Sequence, residues 1–230
     1  MSTNSQPVRR RRRRRLNKKK VAVMAVAALL LVVLLFLGLR SLGRALFGGK
    51  VPGAGVTVPD YVKVDLLSEN PYSRPGTPLK EINGVVIHYV GNPDTSAANN
   101  RSYFENLALS HETYASAHFL VGLEGEIIQC IPLTEIAYCS NKRNEDTIAI
   151  EVCHPDAAGK FNPETQEALE QLTAWLCYTF DLEEKDILRH YDINGKICPK
   201  YYVENPEAWT DLLSGVQSRL EELKAAQKKK

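Results

Sequence analysis

Apolar positions fall into two regimes along the chain. From Val21 to Leu39 they form an uncharged run of 19 residues, whereas beyond Pro59 they recur with periods of two or of three to four. The second regime is that of half-buried strands and amphipathic helices. Gly84 to Val90, bounded by Asn83-Gly84 and Gly91-Asn92-Pro93, predicts a short buried strand carrying His88. Ser116 to Val121 and Glu126 to Pro132 predict two strands joined as a hairpin through Gly122-Leu123-Glu124-Gly125. Thr147 to Cys153 predicts another strand, with Ile148, Ile150 and Val152 on one face and Ala149, Glu151 and Cys153 on the other. Ile187 to His190 predicts a short one. Helices are expected over Asn99 to Ser110 (Tyr103 and Leu107 inward), Pro163 to Phe180 (Ala168, Leu172, Trp175 and Leu176 inward) and Pro206 to Ala226 (Trp209, Leu212, Leu213, Val216, Leu220 and Leu223 inward). Strands alternating with long helices imply an α/β (α+β) domain. It is built on a single mixed central β-sheet flanked by helices, about 160 residues in all and large enough for its own core.

The first regime changes the picture of where this domain resides. As a helix, residues 21–39 would rise about 28 Å, close to the roughly 30 Å hydrocarbon thickness of a bilayer. A cleaved signal peptide is the alternative, but its apolar region is typically about 7–15 residues and ends in a small-x-small site. Gly38 to Arg44 offers no clear site of that kind. Arg9 to Arg15 and Lys18 to Lys20 precede the run without an intervening acid, and basic residues stay on the cytoplasmic side. The expectation is therefore a basic cytoplasmic N-terminus (1–20), a transmembrane signal anchor (21–39) in the lipid bilayer and a Gly- and Pro-containing juxtamembrane linker (40–59). An extracytoplasmic domain (60–217) and a helix end with a basic tail (218–230) follow. The whole chain carries a formal charge of +2, but ten of its 29 basic residues lie in 1–20. The rest has 19 basic residues against 27 acids, a net of −8, which argues against nucleic acid as a partner. Five cysteines in an oxidising compartment could form disulfides. Buried thiols are the plainer expectation, because Cys130, Cys153 and Cys177 sit in apolar runs and Cys139 at a strand end.

Candidate chemistry gathers in Leu188 to Pro199, where His190 and Cys198 flank the turn-forming Asn194-Gly195. With His88 they could supply three zinc ligands and leave a fourth position for water. Taken singly, a buried hydrogen-bonded histidine would explain His88 and an apolar loop cysteine Cys198. Glu151 shares its strand face with small residues, which leaves room beside a carboxylate. Asp192 could accept the second ring N–H of His190, or cap the loop. His111 and His154 read as surface residues near turns.

Five segments taken in order closely resemble one family. They are Gly84-Val85-Val86-Ile87-His88-Tyr89, Ser116-Ala117-His118-Phe119-Leu120-Val121, Gly125-Glu126-Ile127-Ile128-Gln129, Thr147-Ile148-Ala149-Ile150-Glu151-Val152 and His190 through Pro199. The family is the zinc-dependent N-acetylmuramoyl-L-alanine amidases of amidase type 2, related to phage lysozyme-like amidases and peptidoglycan recognition proteins. The resemblance, spanning about Asn70 to Trp209, implies one Zn2+ held by His88, His190 and Cys198. It also implies Glu151 and Lys196 as catalytic residues, His118 and Tyr89 in or beside the substrate cleft, and peptidoglycan as substrate. His118 could equally be a plain core histidine. Many members carry a Trp-His pair after the second strand where this chain has Tyr138-Cys139, so its muropeptide preference is open. The rival expectation is a peptidoglycan-binding receptor that keeps the fold without catalysis. Against it, the third ligand position, which non-catalytic relatives typically lose, is filled by Cys198.

Overall fold

A computed structural model describes residues 51–227. The basic terminus and the anchor expected at 21–39 lie outside the described residues. Among the described residues no helix is long and apolar enough to cross a membrane.

Six strands form one sheet: β1 (Val62–Val64), β2 (Val85–Tyr89), β3 (Phe119–Val121), β4 (Ile127–Gln129), β5 (Ile148–Val152) and β6 (Ile187–Arg189). Their order across the sheet is β1-β4-β3-β5-β2-β6. Only the β3–β4 hairpin is antiparallel, while the other neighbours are parallel. The mixed sheet and the hairpin are thus as the sequence implied, with strands shorter at their ends. β1 is an addition, a three-residue edge strand too short to register as a period. The central β2 is a β-branched run buried nearly throughout, as a strand covered on both faces must be.

Two helices cover one face of the sheet: α2 (Pro163–Phe180) and, packed on it, α5 (Pro206–Gln227). Two short helices, α3 (His190–Asn194) and α4 (Lys200–Glu204), lie between β6 and α5. The boundaries of α2 match expectation because both ends carry sequence signals. Asn162 caps the Thr165 N–H, Pro163 opens the first turn and Asp181 closes the helix in the left-handed region at φ 54°. On the other face lies α1 (Ala97–Ser110), which starts two residues earlier than expected because Ser96 and Asn99 form a capping box. Its buried stripe is Ala97, Asn100, Phe104 and Leu107, while Tyr103 is exposed. Of the expected inward residues Leu107 is buried and Tyr103 is not, so the inward face is rotated toward Phe104.

Strand alternation assigns each side chain to a layer. Val85, Ile87, Ile148, Ile150 and Val152 pack with Leu169, Leu172, Leu176, Leu212 and Val216 on the α2/α5 side. Ala149 and Cys153 pack with Phe104 and Leu107 on the α1 side. His88 and Glu151 are paired across β2 and β5, so both point to the α1 side near the carboxyl ends of parallel strands, where open α/β sheets place their ligands. All five cysteines are free thiols, four of them buried and Cys139 partly so, in keeping with the buried-thiol expectation.

Candidate metal centre

The ends of β2 and β6 and the loop after α3 bring three donors together. His88 comes from β2, His190 opens α3 immediately after β6, and Cys198 returns eight residues later. The return is built locally. Gly195, in the left-handed region at φ 81°, ends α3 by sending its N–H to the Tyr191 carbonyl. The Tyr191 N–H then reaches the Cys198 carbonyl at 3.0 Å. One ligand atom from each of His88, His190 and Cys198 lies within 4.8 Å of the others, and all three residues are buried. The two imidazoles meet edge to face with centroids 4.7 Å apart.

The donor set fits a tetrahedral zinc. His88 Nδ1 stands 3.8 Å from Cys198 Sγ, against about 3.5 Å for nitrogen and sulfur sharing one zinc at ordinary bond lengths. His190 Nδ1 is buried and has no hydrogen-bond partner. A buried ring nitrogen without a partner is expensive, and a metal at this point would use it. The Nε2 atoms face away from this point, that of His190 to Asn141 Oδ1 at 2.8 Å and that of His88 to Ser140 Oγ at 3.2 Å.

Electrostatics point the same way. Burial, then the nearby His190 and Lys196, holds His88 well below its usual range. His190 is lowered to about 4 by burial and then by Lys196, so both rings are neutral, as ligands must be. Burial, with Glu151 adding to it, raises the Cys198 thiol to about 12 against the opposing Tyr89 backbone N–H and Lys196. A cation is what would make it a thiolate at neutral pH.

Glu151 stands beside this set. With Cys139 and one ring nitrogen of His88 it forms a second convergent group within 4.8 Å. The His190 nitrogen without a partner favours the first group as the metal seat. Cys139 Sγ donates to Glu151 Oε1 at 3.5 Å, while Oε2 is buried without a partner. Glu151 makes no ion pair among the described residues, so a structural salt bridge is not its role. Burial raises its carboxyl to about 8 against the opposing effects of Cys139 and Lys196, where it can hold or release a proton near neutrality. Lys196 is exposed and lines the same cleft, about 400 Å3, with Glu151, His88, His190, Tyr114 and Tyr138.

Two expected cleft residues lie elsewhere. His118 is fully buried; its Nδ1 accepts from the Ala149 N–H at 3.0 Å and its Nε2 meets the Glu135 carbonyl at 2.8 Å. It is a core histidine bridging backbone groups and does not line the cleft. Tyr89 follows His88 by one residue, so strand alternation turns it to the opposite face. There its ring packs against Gly159 and His154, and only its backbone N–H faces the Cys198 sulfur. His154, expected at the surface, is buried between the carbonyls of Val90 and Asp156. His111 is exposed. Asp192 binds the backbone N–H and guanidinium of Arg189, so it caps the loop and leaves His190 to Asn141. The Ser140 and Asn141 contacts had no sequence signal, because they depend on how the loop after β4 folds back over β2 and β6.

Three inward-facing donors, a neighbouring carboxylate and a rim lysine on a mixed sheet are the groups a mononuclear metal hydrolase would use. The N-acetylmuramoyl-L-alanine amidase family matches residues 78–201. The chain is 35% identical over 172 residues to N-acetylmuramoyl-L-alanine amidase BlyA of Bacillus subtilis (strain 168), covering 66% of this chain and 45% of that protein. It is 33% identical over 176 residues to N-acetylmuramoyl-L-alanine amidase CwlL of Bacillus licheniformis, covering 71% and 47% respectively. The chain thus spans about half the length of these relatives. The fold is that of a mutant endolysin from Bacillus subtilis, with a TM-score of 0.57 at 23% identity over 67% of this chain and 97% of that one. This chain belongs to the N-acetylmuramoyl-L-alanine amidase family.

Proposed function

We propose that the protein is a zinc-dependent N-acetylmuramoyl-L-alanine amidase. It would hydrolyse the amide between the lactyl group of N-acetylmuramic acid and the L-alanine of the peptidoglycan stem. The observation that carries this reading is the convergence of His88, His190 and Cys198, with the His190 Nδ1 left without a partner, beside a carboxylate whose Oε2 is also free. Family membership supplies the substrate class.

Zinc, held by His88 Nδ1, His190 Nδ1 and Cys198 Sγ, would polarise the amide carbonyl and acidify a water. Glu151 Oε2 takes the proton of the attacking water and returns it to the leaving nitrogen, so the products are a lactyl carboxylate and a free alanine amine. Its raised pKa suits a group that must both accept and donate. Lys196, cationic on the cleft rim, offsets negative charge growing on the carbonyl oxygen. Tyr114 and Tyr138, in edge contact with centroids 5.6 Å apart, give the cleft an aromatic wall, and Tyr138-Cys139 stands where many relatives carry Trp-His. The test is to incubate the full chain with intact peptidoglycan and identify new amino termini by mass spectrometry. New L-alanine termini are expected. A folded, zinc-loaded protein that exposes none would refute the amidase reading and favour a binding role.

The same proposal places the domain outside the membrane, anchored through residues 21–39. Its support is the apolar run after an all-basic segment. Protease added to intact cells should remove the domain and leave residues 1–20 protected.

A further inference from the structure

Three consecutive side chains in the loop between β4 and β5 each reach a different group of the proposed chemistry. Cys139 Sγ donates to Glu151 Oε1 at 3.5 Å, Ser140 Oγ lies 3.2 Å from His88 Nε2, and Asn141 Oδ1 lies 2.8 Å from His190 Nε2. We propose that Cys139-Ser140-Asn141 is a positioning strap that sets the orientation of the proton-transfer carboxylate and of both histidine ligands. This inference rests on the zinc amidase reading above.

The loop is built to hold this arrangement. Asn144 Oδ1 accepts the N–H groups of Cys139 at 3.2 Å and Ser140 at 2.6 Å, pinning the backbone just before the contacts. Ser140 is buried, so its hydroxyl has no solvent to turn toward. Asn141 adopts the left-handed region at φ 53°, a conformation that asparagine tolerates better than most residues. That conformation aims its side chain back at α3. Its Oδ1 also accepts from Asn194 Nδ2 at 2.8 Å, and that amide nitrogen in turn lies 3.1 Å from His190 Nε2, so Asn141 Oδ1 at 2.8 Å is the nearer of the two groups on this ring nitrogen.

The chemical consequence is a choice of tautomer. Asn141 Oδ1, nearer to His190 Nε2 than the Asn194 amide nitrogen, favours the proton there and leaves the Nδ1 lone pair pointing at the metal position, where no other partner competes for it. Ser140 can accept from His88 Nε2 in the same sense, freeing the Nδ1 that faces Cys198. A ligand histidine whose other ring nitrogen is held this way is oriented before the metal arrives. Cys139 occupies one Glu151 oxygen and thereby leaves Oε2 for the proton transfer. Loss of such a supporting contact typically costs about 10- to 100-fold in metal affinity or activity.

The experiment uses the full chain purified in detergent, with zinc affinity from chelator competition, histidine 15N shifts, and kcat and KM on peptidoglycan fragments. Asn141→Gly keeps the left-handed backbone and removes Oδ1, and Ser140→Ala removes the hydroxyl. Each is expected to weaken zinc about 10- to 100-fold and to release the Nε2–H preference of its own histidine in the metal-free spectrum. Asn141→Asp, which retains an acceptor, should restore both readouts. Cys139→Ala should leave zinc affinity unchanged and lower kcat without raising KM, and Cys139→Ser should recover kcat. Wild-type zinc affinity and unchanged tautomers in both Asn141→Gly and Ser140→Ala would overturn the strap. So would Nδ1–H tautomers in the metal-free wild type, whether or not it binds zinc. Failure of the wild type to bind zinc would instead overturn the proposed function.

Discussion

Zinc loading should release protons in a number set by the burial of the ligands. At pH 7 in the metal-free protein, Cys198, raised to about 12, is a thiol. His190, lowered to about 4, and His88, held well below its usual range, are already neutral. Glu151, raised to about 8, keeps its proton in about nine molecules of ten. A dication would expel the thiol proton outright and oppose the one on Glu151, so release from the protein should be about two protons per zinc, none from histidine, with at most about one more from an acidified bound water. Ionising a thiol about five pH units above the working pH opposes binding by about 7 kcal/mol, so affinity should climb at least about tenfold per pH unit near neutrality. The assay is calorimetric titration of the full chain in buffers of differing ionisation enthalpy at pH 6 and pH 7. Glu151→Gln, which has no proton to lose at that position, should lower the release by about one proton. Histidines with ordinary pKa values would add protons at pH 6. A release that grows on going from pH 7 to pH 6, or one unchanged in Glu151→Gln, would refute the burial argument.

Further expectations concern catalysis and stability. Glu151→Gln should retain zinc by metal analysis and lose about 10²- to 10⁴-fold in turnover; near-normal turnover would remove Glu151 from proton transfer. Lys196→Ala should lose about 10²- to 10³-fold in kcat with zinc unchanged, and a loss confined to KM would make it a binding residue. Because the folded-state pKa of Glu151 lies above its unfolded value, the native state holds a proton that the unfolded chain gives up above about pH 4.5. Its contribution therefore lowers stability as pH rises from about 4.5 to 8. Metal-free Glu151→Gln should then gain on the order of 3 kcal/mol over wild type at pH 7 and little at pH 4, as read by urea unfolding. Equal effects at both pH values would contradict the buried-carboxyl reading.

Periodicity resolved much of this protein because strand and helix faces are local properties. The alternation in Ile148 to Val152 assigned Glu151 to the roomier face, and Asn162-Pro163 marked the start of α2 to the residue. The His88, His190 and Cys198 set was likewise legible, since each residue lies in a recognisable segment and their order matches one family. Local signals misplaced other residues. Tyr103 and Phe104 are adjacent, and which of them faces inward depends on how α1 is rotated against β3 and β4. Tyr89 was expected in the cleft although its neighbour His88 already occupied that face. His118 and His154 look alike in sequence to any polar residue beside a strand, yet each is buried against at least one backbone group distant in the chain, Ala149 and Glu135 for His118 and Val90 for His154.

Residue types and their periods, then, determined the mixed sheet and the helices, because those follow from side-chain chemistry and backbone geometry within a few residues, whereas the donor set was implied by the resemblance of its segments to one family. Only the tertiary structure decided which ring nitrogens of His88 and His190 are free, that Asn141 rather than Asp192 meets His190, and that a thiol rather than an ion pair meets Glu151. Those outcomes require segments some 50 residues apart (Asn141 and His190) or 12 apart (Cys139 and Glu151) to converge. The burial that accompanies convergence sets the protonation states on which the chemistry depends.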